Sequence, residues 1–320
     1  MTPFPSVSAV IPVWNREKDL KACLASLDLQ QDVSVEMIVV DDGSSDGSVQ
    51  MVRECFPRAV LVCSEEVGVG PAYRRNQGVL ASHGDYVLQL DSDITFEDPK
   101  AIANMVAILS QRKEIGSVGG EIAAHAQDYK HVHALRFDHM DRPQRISADC
   151  HDELNCDYLA TLCCMMRRRD IFALGGYDPY GEYGGEDADM GYRFKKAGFQ
   201  NIARFDCAAL HHASQTGRHK DDSYRYCLAW WRFVIKHRGV STFALRLGWY
   251  LFRVCGAVLL LPWACLRQSY PLKQLTVLLV VMKSASTTMQ HLRSIIRMRN
   301  VNFLSPEEMR RFEVWKQFGQ

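Results

Sequence analysis

An α/β fold built on a mostly parallel sheet is what this 320-residue sequence predicts, on three observations. Short β-branched runs alternate with amphipathic helical stretches through the first half of the chain. Each run stops in a cluster of polar residues. Two of those clusters, Asp41-Asp42 and Asp91-Ser92-Asp93, are acidic. Strands separated by helices need crossover connections, which make neighbouring strands parallel and bring ligands to their carboxyl ends. With 47% hydrophobic and 23% charged residues, the chain has both the length and the composition to bury a core.

Val7 to Val13, which includes Pro12, is apolar and β-branched and fits a buried strand. Asn15 is expected to cap a helix whose apolar positions Leu20, Cys23, Leu24 and Leu27 recur at helical spacing. Val35 to Val40 is the second strand, ending in Asp41-Asp42-Gly43-Ser44-Ser45-Asp46, where Asp46 is placed to cap the helix that runs through Val49, Val52 and Cys55. Ala59 to Cys63 is the third strand. Gly68-Val69-Gly70 then leads into a proline-opened helix carrying Arg74, Arg75 and Asn76, and positive charge beside a helix N-terminus suits a phosphate, although either arginine could equally be solvated. A GxxxxGK[ST] pattern is absent, so a nucleotide would not be held by a P-loop.

Gly84 to Leu90 is the fourth strand and delivers Asp91-Ser92-Asp93 to its tip, a compact oxygen-ligand set for a hard divalent cation. Aspartate and serine are also ordinary turn residues. A second acidic cluster, Glu186-Asp187-Ala188-Asp189, and the pair His211-His212 favour the functional reading. Between them lie a helix near Ile102, Met105, Val106 and Leu109, a strand around Ser117 to Gly119, and an irregular stretch from 123 to 155. That stretch holds His125, His131, His133, His139 and His151 at spacings that fit no compact zinc site, so a mobile or substrate-facing insertion is expected rather than a metal centre. Ala160 to Met166 is apolar again, and Ile171 to Gly176 reads as a short helix ended by glycine. The Tyr180 to Gly185 loop opens a helix with Met190, Phe194 and Ala197 on one face, which places Asp187 over the core and aims Asp189 elsewhere.

The formal net charge of +1 hides an asymmetry: residues 1–217 carry a net −11 and residues 218–320 a net +12. From Ser223 to Leu304 there is no Asp or Glu, while 12 Lys and Arg are spread among aromatic and aliphatic residues. The uncharged run from Val254 to Leu266 is shorter than the ~20 residues that span a bilayer. Interfacial helices reaching anionic lipid head groups are therefore expected, with a helical subdomain packed on the sheet as the alternative and nucleic acid disfavoured. The eleven cysteines lack CxxC spacing and read as reduced, buried hydrophobes. Met1-Thr-Pro-Phe-Pro has no basic n-region, which fits a cytoplasmic protein.

Taken together, Val10-Ile-Pro-Val-Trp-Asn15, Val39-Val-Asp-Asp-Gly-Ser-Ser-Asp46, Arg75-Asn76-Gln-Gly78, Leu90-Asp-Ser-Asp93, Gly185-Glu-Asp-Ala-Asp-Met190 with Arg193, and His211 resemble the family 2 glycosyltransferases, inverting enzymes of the GT-A fold. The resemblance covers about residues 6 to 240 and is strongest to the rhamnosyltransferase-like, polysaccharide-building branch. It implies a GT-A catalytic domain over 1–217, a Rossmann-like sheet flanked by helices; the helical appendage at 218–320 lies outside the most specific motifs, and its expected membrane association rests on composition alone. It further implies a nucleotide-sugar site at Pro12, Asp41, Asp42, Arg75, Asp91 and Ser92, with Asp42 at the base and Asp91 near the ribose. Asp93 and His211 would hold Mg2+ or Mn2+, although His212 could replace its neighbour. Asp187 would be the general base, and Glu186 would position the acceptor or its loop.

The activity so implied is metal-dependent transfer of a sugar from a nucleoside diphosphate donor to a glycan or lipid-linked acceptor. It would take place at the inner face of the cell membrane, as monomer or oligomer. A sugar nucleotidyltransferase and a non-catalytic membrane-bound nucleotide-sugar-binding protein are the competing readings.

Overall fold

The computed structural model describes residues 4–63, 67–123, 134–146, 153–180, 184–212, 222–259 and 270–318. Its centre is a sheet in the order β3-β2-β1-β4-β11-β6-β12-β5. β1 (Ser6–Val13), β2 (Ser34–Asp41), β3 (Val60–Cys63) and β4 (Tyr86–Leu90) run parallel, joined by α1 (Glu17–Asp28), α2 (Ser48–Cys55) and α3 (Pro71–Ala81). The two-residue β5 (Ile94–Thr95) follows the fourth strand, and α4 (Ala101–Gln111) leads to β6 (Ile115–Ala123). β11 (Cys163–Arg167) enters antiparallel between β4 and β6, and β12 (Gln200–His211) lies parallel to β6.

Both faces of the sheet are covered, as a parallel sheet requires. Val7, Ala9, Ile11, Leu88 and Leu90 pack under α1 and α4, whereas Val10, Ile38, Val40 and Val87 pack under α3 and the later helices. Gly78 of α3 lies so close to β1 that a Cβ there would sit 2.2 Å from Val10 Cγ1. Val10 is stiff at χ1 and fully buried, so the helix would have to lift. Gly78→Ala is expected to lower stability by about 1–3 kcal/mol in urea titration.

The stretch from 123 to 155 contains more sheet than its sequence shows. β7 (Ala134–Phe137), β8 (Pro143–Arg145) and β10 (Tyr158–Leu159) form a separate three-stranded sheet, and β9 (Glu153–Cys156) pairs with β12. His139 is exposed in the turn between β7 and β8; His125, His131, His133 and His151 lie outside the described residues. Two further expectations need correction. Asn15 does not cap α1: with φ +52°, its Oδ1 accepts N–H bonds from Ser45 (2.7 Å) and Asp46 (3.3 Å), tying the β1 loop to the β2 loop. Cys55 and Cys63 are exposed, whereas Cys23, Cys163, Cys164 and Cys207 are core thiols whose ionisation burial pushes up.

α5 (Arg168–Leu174) ends at Gly175 in the left-handed region, and α6 (Glu186–Lys196) precedes β12. The C-terminal part comprises α7 (Asp222–Arg238), α8 (Val240–Leu259), α9 (Tyr270–Gln290), α10 (Leu292–Arg297) and α11 (Pro306–Phe318). Trp231, Val234, Ile235, Phe243, Val281, Ala285 and Ile295 form a core of their own. Much of the positive charge turns inward. Arg232 and Lys236 bind Asp178, Lys236 and His237 bind Asp189, and Arg238 and Arg246 bind Asp141. The opposite charges of the two halves therefore meet inside one chain. α11 folds back, stacking Phe312 on Tyr73 of α3 (4.9 Å between centroids), while Leu304 joins the core beneath the sheet. Among the described residues no helix is long and apolar enough to cross a membrane.

Candidate active site

The acidic strand tips converge at the carboxyl edge of the sheet. Asp41 closes a turn, accepting N–H bonds from Gly43 (3.0 Å) and Ser44 (3.1 Å). Asp42 accepts from Val69 N–H (3.0 Å), Gly70 N–H (3.0 Å) and Arg74 Nε (2.9 Å). These two carboxylates shape the loops that lead into α2 and α3. The Val69 and Gly70 N–H groups, at the approach to the helix expected to seat a phosphate, are taken by Asp42. Pro12, half-buried beside Val40, forms the neighbouring edge.

Both arginines of α3 are buried rather than solvated. Arg75 donates from Nη2 to Asp91 Oδ1 at 2.6 Å and from Nη1 to Gln89 Oε1 at 3.4 Å. Burial works against its charge, but Asp91 and then Glu186 hold it protonated above the usual range. Arg75 thus links the tip of β4 electrostatically to the start of α6. Asp91 keeps a partly exposed carboxylate, whereas Ser92 and Asp93 are buried.

Asp93 Oδ2 meets Arg16 Nη1 at 2.6 Å and His211 Nε2 at 3.3 Å. Burial would raise its pKa, yet the His211 hydrogen bond and the Arg16 charge bring it down to about 2. His211 reaches this position because β12 pairs with β5, opposing His211 to Ile94. His212 turns the other way, with Nε2 2.9 Å from Thr95 Oγ1 and its backbone N–H on the Asp93 carbonyl. The geometry thus places His211 rather than His212 at the Asp93 carboxylate.

Among the described residues no three His, Cys, Asp or Glu side chains cluster closely enough to hold a metal by themselves. An ionised carboxylate with one imidazole still fits Mg2+ or Mn2+, since such ions commonly take one or two protein ligands and fill the remaining positions with substrate phosphates and water.

Glu186 and Asp187 open α6 after Gly184 (φ +108°) and Gly185 (φ +87°), conformations that side chains with a Cβ rarely adopt. A Cβ on Gly185 would also come within 3.0 Å of Ala229 on α7. Asp187 Oδ1 accepts the Ala188 N–H at 2.7 Å. Burial, reinforced by the charge of Glu186, pushes the Asp187 pKa up to about 7. Glu186 is raised too, chiefly by burial, with Arg75 opposing.

Asp189 does not project away from the core as its spacing predicts; it is buried. The reason is α7, which covers that side of α6 and supplies Lys236 Nζ at 2.6 Å and His237 Nε2 at 2.8 Å, while Arg193 binds from within α6. Burial alone would raise its pKa, but Arg193 and then Lys236 and His237 hold it well below the carboxylate range. Lys236 Nζ also lies 2.8 Å from Asp178 Oδ2. One ammonium therefore ties the root of the 178–185 loop to the helix that bears Asp187.

Sequence reasoning passed over Arg16, Gln89, Asp178, Lys236 and His237. Arg16 had a signal, lying three residues past the end of β1 at the ligand-binding edge. The others are paired through tertiary packing, which local spacing does not encode.

Residues 8–174 match the family model described as Glycosyl transferase family 2. The chain belongs to this family. The uncharacterized glycosyltransferase YibD of Escherichia coli is 32% identical over 90 residues, covering 27% of this chain and 26% of YibD. The undecaprenyl-phosphate 4-deoxy-4-formamido-L-arabinose transferase of Aeromonas hydrophila is 32% identical over 123 residues, 36% of each chain. The matches thus span about a quarter to a third of these relatives. A mannosyltransferase from Pyrobaculum calidifontis, solved with GDP-Man and Mn2+, superposes with a TM-score of 0.58 at 17% identity, covering 100% of this chain and 89% of that one. At that identity the likeness concerns the fold, which is GT-A.

Proposed function

We propose that this family 2 enzyme transfers a sugar from a nucleoside diphosphate donor to a glycan or lipid-linked acceptor by single displacement, inverting the anomeric carbon. The observation that carries the reading is Asp187: a carboxylate opening α6, with a pKa near 7, on the helix whose first residue shares the Arg75 charge with Asp91. A base so poised accepts the proton of an attacking hydroxyl at neutral pH. No second carboxylate is assigned as nucleophile, so one displacement and inversion follow.

The donor lies across the carboxyl ends of β1, β2 and β4. Pro12 and the loops held by Asp41 and Asp42 face the nucleoside, Arg75 and Asp91 orient the ribose side, and Ser92 backs the turn. Asp93 and His211 would hold Mg2+ or Mn2+, which would supply positive charge beside the departing diphosphate. Glu186 orients the acceptor. The enzyme works on the cytoplasmic face of a membrane with an anionic surface.

Metal removal tests the donor half. With a matching nucleotide sugar, release of nucleoside diphosphate is expected to stop in a chelator and return with Mn2+ or Mg2+. The same donor is expected to raise the thermal midpoint only when metal is present, since a ligand that binds only the native state stabilises it. Metal-independent release would remove Asp93 and His211 from the metal site, and release of pyrophosphate from a nucleoside triphosphate would favour a nucleotidyltransferase.

A further inference from the structure

The C-terminal helices divide their surfaces in two. Toward the catalytic part, α7 and the start of α8 present Arg232, Lys236, Arg238 and Arg246, each satisfied by a buried aspartate. On the outer side, α8 exposes Leu245 (76%), Trp249 (37%) and Phe252 (77%), at i, i+4 and i+7. α9 exposes Leu279 (61%), Met282 (40%) and Met289 (45%) along one line, while its Val281, Ser284, Ala285 and Thr288 are buried. α8 and α9 each pack on α7 and on one another. Large apolar side chains repeated along a helix face are not the scattered exposure of an ordinary surface.

The charge around these stripes selects the occupant. Basic residues that face the catalytic half are neutralised internally, but Lys283 and Arg293 are exposed on the outer helices. Arg253, Arg267 and Lys273 fall in the same stretch of sequence, and no acidic residue occurs between Ser223 and Leu304. An apolar face bordered by cations without anions matches an anionic bilayer surface: apolar side chains enter the acyl boundary and ammonium and guanidinium groups reach the phosphates.

We infer that the outer faces of α8 and α9 form a docking surface for anionic lipid, with Leu245, Trp249 and Phe252 as its anchors. The inference rests on the proposal of a membrane-face transferase and names the part of the molecule that meets the membrane. It also separates the roles of the basic residues: those on α7, with Arg246 at the start of α8, hold the catalytic part, and Lys283 and Arg293 are left to meet the lipid.

The test is flotation of the full chain with vesicles of phosphatidylglycerol and phosphatidylcholine, compared with phosphatidylcholine alone. The wild type is expected to float with the anionic vesicles and remain at the bottom with the neutral ones. The triple variant Leu245→Ser, Trp249→Ser, Phe252→Ser is expected to lose vesicle binding by more than about tenfold. Donor-induced thermal stabilisation in Mn2+ should be unchanged in that variant, which shows that it is folded.

Flotation of the triple variant equal to wild type would overturn the inference. So would equal flotation on neutral vesicles, or a wild-type dimer that the triple variant converts to monomer, which would assign the face to a second copy. Flotation without any donor binding would leave the docking surface standing and remove the transferase proposal instead.

Discussion

Asp187→Asn is expected to lower kcat by about 10²–10⁴, the range a positioned general base contributes, with donor affinity within about twofold of wild type. Asparagine matches aspartate in shape and keeps an oxygen for the Ala188 N–H, which is the local contact the carboxylate makes. What it cannot do is take a proton. On the proposed reading donor affinity survives because the groups assigned to the donor, Arg75 on Asp91 and Arg16 and His211 on Asp93, are held by one another rather than by Asp187.

Stability provides an independent check. A carboxyl whose folded pKa is raised from 3.8 to about 7 binds more protons folded than unfolded between those values, so its contribution declines as pH rises through that window. Removing the charge takes that decline away. At and above neutral pH the Asn variant should therefore melt no lower than wild type, which separates lost chemistry from lost fold. Thermal melts beside steady-state kinetics make the comparison.

Lys236→Met is expected to be the most destabilising single change in the ion network, costing about 3–5 kcal/mol, because it leaves buried carboxylates short of a cation. The ammonium bridges Asp178 and Asp189 and lies over the Phe303 ring at 5.0 Å, with almost no exposure of its own. Asp178 retains Arg232 and Asp189 retains Arg193 and His237, so the cost lies at the lower end of that range. Both aspartates have depressed pKa values: burial raises each, but Arg232 and Lys236 prevail at Asp178, and Arg193, Lys236 and His237 at Asp189. Depressed carboxylates contribute stability above their unfolded pKa and lose it as pH falls through the folded one. Wild type should accordingly lose stability as pH drops below the ordinary carboxylate range, and the Met variant should lose less over the same interval. Urea titrations at neutral and acidic pH measure both effects.

Local chemistry made the first half of the fold legible. β-branched runs, turn residues and helical spacing marked β1 to β4, α1 to α4 and the end of α5 at Gly175, and a parallel sheet fixes where ligands arrive. β5, β8 and β10 were not visible, since strands of two or three residues carry too little pattern to separate from loops, and β7, β9 and the twelve-residue β12 were not expected either. Asp91, Asp93, Glu186, Asp187 and His211 could be singled out because each sits at the start or end of an element.

The burial of Asp189, the inward pairing of Arg232 and Lys236, and the choice of His211 over His212 depend on which elements pack together. α7 covers α6 from a distant part of the chain, and β12 turns His211 rather than His212 toward Asp93 only through its register with β5. Asn15 misled for a related reason: its side chain accepts from backbone donors in a neighbouring loop rather than from the helix that follows it.

The pH dependence of kcat/KM is the most direct test of Asp187 as the base, because it reports the groups of the free enzyme. With donor and acceptor well below saturation, the account predicts a limb that rises with pH to a plateau above about 7, where the carboxylate is free to accept the hydroxyl proton. A kcat/KM that stays flat through that pH, or that falls as Asp187 ionises, would contradict it.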